Sequence, residues 1–132
     1  MMYYVCMVNK NGKQLNRLEL KLQKDIEDIM RERDVKFSVF LPVLRDDLPE
    51  DKSSNEYKNR HKAEYLKQLR ASYSVDEVKK MLEVLGYKLT LTLANKEIKP
   101  VKYGLDDIKI KYTDLMATCE LLDIKIDWVE KG

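Results

Sequence analysis

Glycine is scarce in this chain, and its four copies are scattered rather than grouped. No glycine-rich loop can therefore cradle phosphates, which excludes nucleotide hydrolysis of the P-loop kind. There are two cysteines, Cys6 and Cys119, each among apolar neighbours. That pattern fits free, buried thiols in a reducing compartment better than a disulfide scaffold, so a cytoplasmic location is expected. Histidine occurs once, at His61 between Arg60 and Lys62. Adjacent positive charge disfavours the protonated imidazole, and no nucleophile is patterned to pair with it, so a surface role is expected rather than general-base work. Two cysteines and one histidine also lack zinc-type ligand spacing. Long apolar runs are missing as well. The stretch 1–8 has no basic flank and stops at Lys10, too short for a signal peptide, and no later run approaches membrane-spanning length. No catalytic residue, resident metal or cofactor is expected, and no membrane contact.

Charge is what the chain has in abundance. Charged residues make up 36% and apolar residues 44% of 132 positions, with a net charge of only +2. A chain of this length matches one domain, 1–132, and folding buries roughly two thirds of its unfolded surface. The near-balanced charge produces no global field toward nucleic acid or anionic lipid, so any such attraction must come from a local patch.

Periodicity supplies the elements. Residues 3–8 are apolar on both faces and predict a central strand, followed by turn chemistry over 9–12. Leu15, Leu18, Leu22, Ile26 and Ile29 form one helical stripe. The run 37–44 predicts a second strand, with Pro42 placing its end at a sheet edge. Residues 45–55 form an acidic, polar loop, and a basic helix follows from Asn55 to about Arg70, carrying Tyr57, Ala63, Tyr65, Leu66 and Leu69 as its apolar set. Ser74 and Glu77 make a capping box for a helix striped by Val78, Met81, Leu82 and Leu85, with Gly86 as its C-terminal cap. Tyr87, Leu89, Leu91 and Leu93 alternate with polar residues as a half-buried strand. Asn95-Lys96 turns into a strand over 98–103, and another is expected from Ile108, Ile110 and Tyr112. Thr113 is expected to cap a short helix with Leu115, Met116, Cys119 and Leu122, and the chain closes on a strand with Ile124, Ile126 and Trp128. The expected fold is α+β: a mixed sheet of about five strands covered by helices, with a ferredoxin-like topology carrying an inserted helical pair as one candidate. The tetrad Asp107-Ile-Lys-Ile recurs at Asp123, too short to establish a duplication.

Three stretches carry candidate chemistry. The acids Asp46, Asp47, Glu50 and Asp51 lack the spacing and turn glycine of a cation loop and are expected to balance the basic helix after them. That helix holds Lys58, Arg60, Lys62, Lys67 and Arg70 against a single acid, Glu64. With its tyrosines it is the expected contact surface, engaging phosphates or an acidic protein and stacking on bases. The third stretch, Gly104-Leu105-Asp106-Asp107 followed by Leu121-Leu122-Asp123-Ile124-Lys125, resembles the PD-(D/E)xK nuclease signature. The resemblance implies Asp106 or Asp107 with Asp123 as metal ligands and Lys125 beside the attacking water. The chain ends soon after that lysine, whereas the family's core continues.

The opening third, 3–47, resembles the N-terminal domain of NusG-type transcription elongation factors. The matching features are Tyr3-Tyr4-Val5, Gly12, the Leu15 to Ile29 stripe and Val39-Phe40-Leu41-Pro42-Val43-Leu44. The resemblance implies a ferredoxin-like fold and non-catalytic contact with RNA polymerase. It departs where the usual Trp is Tyr3, where the expected Pro-Gly-Tyr step is at best Gly86-Tyr87, and where two helices intrude. The resulting expectation is a small non-enzymatic regulatory protein that binds a macromolecular complex, either the transcription machinery or nucleic acid, through the basic helix. Alternatives are the metal-dependent nuclease, using Asp107, Asp123 and Lys125, and a phage or mobile-element protein that inhibits a host enzyme by surface mimicry.

Overall fold

A computed structural model describes residues 14–131, so the expected strand over 3–8 lies outside the described residues. The chain divides into two compact units, Met1–Ser72 and Tyr73–Gly132.

Among the described residues the first helix of the first unit is α1 (Arg17–Arg33), which begins where the Asn16 side chain accepts from the Glu19 N–H while Glu19 accepts from the Asn16 N–H. This reciprocal cap satisfies two donors that would otherwise be orphaned. Leu22, Ile26 and Ile29 form its buried stripe, as their spacing predicts. The run 37–44 is not a strand. It is a 3₁₀ turn, Phe37–Phe40, continuing into α2 (Leu41–Leu44). Phe37, Phe40 and Leu41 are the buried residues, and their three- and four-residue steps match a helical face rather than alternation. Pro42 falls in the first turn of α2, where its missing N–H has no intrahelical partner to lose. The loop after α2 is present as expected, and α3 spans Asn55–Arg70, capped by the Ser54 side chain accepting from the Tyr57 N–H.

The second unit is a three-stranded antiparallel sheet, ordered β2-β1-β3, with two helices. Helix α4 (Val75–Val84) carries the Ser74–Glu77 capping box, and Gly86 after it takes φ +81°, a conformation natural to glycine. The central strand β1 (Tyr87–Leu93) turns into the two-residue β2 (Lys96–Glu97) through Ala94 and Asn95, both left-handed, the geometry of a tight hairpin turn. The turn is thus one residue earlier than Asn95-Lys96. The strand expected over 98–103 gives way to a 3₁₀ turn at Pro100–Tyr103; Pro100 cannot donate to a ladder, and the chain bends instead. The strand expected from Ile108 to Tyr112 is also absent. Ile108 and Ile110 lie in turns, and only Lys111 forms an isolated bridge, to Ser74. The carbonyls of Ile108 and Ile110 accept from the N–H groups of Asp76 and Val75, which ties this segment to the start of α4 instead of to a sheet.

Helix α5 (Tyr112–Leu121) has Lys111 at its N-cap position with no side-chain cap, and Thr113, expected to cap it, sits inside the first turn. Strand β3 (Lys125–Glu130) pairs with β1 so that Leu89 faces Trp128 and Leu91 faces Ile126. The Trp128 indole N–H donates to the Tyr112 hydroxyl at 2.9 Å, fastening β3 to α5 through two large aromatics. The fold is α+β as expected, but the sheet has three strands among the described residues, not about five. No helix of the described residues is long and apolar enough to cross a membrane.

Candidate partner-binding surface

Helix α3 does not bury the side its apolar residues mark. Its fully buried positions are Glu64 and Gln68, whereas Ala63 and Tyr65 are exposed and Tyr57, Leu66 and Leu69 are half-buried. Against α1, the Gln23 side-chain amide donates to the carbonyls of Gln68 and Leu69, both at 3.1 Å, and the Gln68 amide donates back to the Gln23 carbonyl. Both amides donate to backbone carbonyls of the facing helix, so a polar stripe sits where an apolar one was expected, although the buried Gln68 Oε1 has no hydrogen-bond partner.

Glu64 organises the charges beside this clasp. Its carboxylate lies 3.4 Å from Arg45 and 3.5 Å from Lys67. Arg45 in turn grips Asp47 with two N–H groups, Nε to Oδ1 at 3.0 Å and Nη2 to Oδ2 at 3.2 Å, the bidentate fork that makes arginine–carboxylate pairs strong. Arg60 reaches the same Asp47 oxygen, Nε to Oδ2 at 3.3 Å. That approach is an ion pair without hydrogen-bond geometry, and the buried Arg60 Nε has no hydrogen-bond acceptor. The Arg45 guanidinium, hydrogen-bonded to Asp47, holds that carboxyl below the usual carboxylate range, and the charge of Arg60 adds to the effect.

Such a carboxylate stabilises the fold fully above its unfolded pKa, about 3.9, and that contribution is lost as pH falls through the lower folded value. Urea unfolding between pH 7 and pH 3 is therefore expected to show an acid-dependent loss of stability that Asp47→Asn diminishes. Superimposable pH profiles for the two proteins contradict it.

The five basic residues singled out in the sequence thus divide. Arg60 is half-buried against Asp47, and Lys67 lies along Glu64. Arg70 is exposed at the helix end. Lys58 and Lys62 are exposed, stand one turn apart, and make no ion pair among the described residues. One further turn along the same stripe is Tyr65, 38% exposed. Its ring meets the buried Phe37 ring edge-on at 5.3 Å, and His61 packs against both, 5.8 Å from Phe37 and 6.5 Å from Tyr65. Tyr65 and His61 therefore form a supported aromatic ledge bordered by two lysines. Glu64, Arg45, Asp47 and Gln68 were not legible as a cluster, because Glu64 reads as one acid diluting a basic helix. The available signal was that Tyr57, Arg60, Glu64 and Gln68 share a helical stripe in which the polar members cannot all face water.

The carboxylates of the nuclease-like stretch are not brought onto adjacent strands. Asp107 lies in a turn, its carboxylate accepting from the Lys109 N–H at 2.9 Å. Asp123 is the left-handed residue that ends α5, with φ 59° and its N–H on the Glu120 carbonyl. The recurring tetrad accordingly folds in two ways, as a turn after Asp107 and as the entry to β3 after Asp123. Lys125 lies on β3, 3.8 Å from Asp127. Asp106 is exposed beside Asp107. Among the described residues no three of His, Cys, Asp and Glu are grouped to hold a metal ion. No family model, curated protein or solved structure matches the chain.

Proposed function

We propose that the chain is a small, non-enzymatic regulatory protein that engages the single-stranded nucleic acid of a transcription complex through the outer face of α3. The observation that carries this reading is the ledge of Tyr65 and His61 beside the exposed Lys58 and Lys62. Single-stranded nucleic acid is bound by cations that follow the phosphates and by aromatic rings on which bases stack, and a ring already supported from below loses little freedom on binding. The transcription setting rests on the resemblance of 3–47 to NusG-type domains. Within that stretch α1 lies where the resemblance needs a helix, whereas 39–44 is not the strand it implies.

The test is fluorescence anisotropy with a labelled 15-mer of thymidylate at two salt concentrations. Lys58→Ala/Lys62→Ala is expected to weaken binding about tenfold and to flatten the logarithmic salt slope by about 1.4, the value of two phosphate contacts on a single strand. Binding that ignores salt, or is unchanged in the double variant, removes the proposal.

A further inference from the structure

Arg45 and Arg60 hold one carboxylate between them, and it suits only one of them. Asp47 fills the fork of Arg45 with two hydrogen bonds, yet leaves the Nε of Arg60 at 3.3 Å without an acceptor in line. A planar carboxylate offers its oxygens in a single plane, while a phosphodiester offers acceptor oxygens in a tetrahedral array that can serve two guanidinium groups approaching from different directions. Arg45 is fixed from behind by Glu64, which is buried and lies 3.4 Å from Nη1. Arg60 projects from α3 roughly half a turn around the helix from Lys58 and Lys62, on the stripe that carries Glu64. Asp47 itself stands on the irregular acidic loop and its side chain is 46% exposed, so it is the member of the trio that solvent, or a competing anion, can reach.

We infer that Arg45 and Arg60 are a phosphate-binding pair which the chain occupies with its own Asp47, so that a nucleic-acid phosphodiester binds there by displacing that carboxylate. The inference rests on the proposed nucleic-acid binding by Lys58 and Lys62 and adds a second, masked contact on another side of α3, with its own control. With Asp47 in place the cluster of Arg45, Arg60 and Lys67 against Asp47 and Glu64 carries one net positive charge; with Asp47 displaced it carries two. Lys58 and Lys62 provide first attachment, and the pair is gained only when the strand out-competes the loop.

Anisotropy with the same thymidylate 15-mer separates the two claims. Asp47→Asn in the full chain is expected to bind five- to tenfold more tightly than the unmodified protein, with a logarithmic salt slope steeper by about 0.7, one additional phosphate contact. Adding Arg60→Gln to Asp47→Asn is expected to abolish that gain. Asp47→Ser, which keeps a small polar side chain in the loop, is expected to reproduce the tightening, and circular dichroism checks that each variant is folded. If Asp47→Asn and Asp47→Ser leave affinity and slope unchanged or weaken them, while Lys58→Ala/Lys62→Ala still weakens binding, the arginine pair is wrong and the α3 face stands. If neither the unmodified protein nor Asp47→Asn binds the oligonucleotide, both fall together.

Discussion

Phe40→Ala is expected to remove about 4 kcal/mol of stability from the unit that contains it, the range for a large aromatic truncated in a packed interior. Phe40 has no exposed surface, nor has Leu41 beside it, and its ring meets Phe37 edge-on at 5.8 Å. The loss has two parts, the transfer of the ring out of water and the cavity left behind. The second part is large here because the 3₁₀ turn and α2 hold the backbone on both sides of the residue. Urea unfolding followed by circular dichroism reads this as a lower midpoint with little change in slope. A loss below about 1 kcal/mol would mean that 37–44 is a surface segment, since such small effects belong to exposed positions.

The second large effect concerns Arg45. Arg45→Met takes the guanidinium from the buried Glu64, which keeps Lys67 at 3.5 Å, and is expected to cost about 2 kcal/mol, the scale of a lost hydrogen bond to a buried charged group. The double variant Arg45→Met/Glu64→Leu is expected to recover most of that loss, since a buried ion pair exchanged for apolar residues of similar size is often neutral. Both side chains lie in one network, so their effects should be strongly non-additive. If the double variant is as unstable as the single one, the Arg45–Glu64 contact at 3.4 Å is incidental and something else places Arg45.

These two sites also show where sequence patterning reaches its limit. The stripe of α1, the capping box at Ser74, the glycine after α4 and the alternation of β1 are local signals, and the structure follows each of them. The segment 37–44 is local too, but a run of apolar residues this short fits a buried strand or a buried helix equally. What decided it was the step from Phe37 to Phe40 and Leu41, together with a proline that suits a helix start as well as a strand edge. The strand expected around Ile110 failed differently. Its alternation is real, but Ile108 stays 42% exposed and the backbone is used at the start of α4. Alternation promises a strand only if a neighbouring strand accepts it, and the sheet ends at β2 on one side and β3 on the other among the described residues.

The face of α3 was the deepest gap. Its basic residues were visible, but which of them face water depends on Gln23 and Arg45, 45 and 19 residues distant in the chain from Gln68 and Glu64. A polar residue is buried when a distant partner satisfies it, and no local window contains that partner. Lys58 and Lys62 were therefore legible as charges, whereas their separation from the neutralised Arg60 and Lys67 was not.

Amide chemical-shift mapping tests the central claim most directly, by titrating the ¹⁵N-labelled protein with the thymidylate 15-mer. The largest shifts are predicted at Lys58, His61, Lys62 and Tyr65, fading as salt is raised. Shifts confined to the outer face of the sheet, around Lys88, Thr90 and Lys125, or no shifts at all, would contradict it.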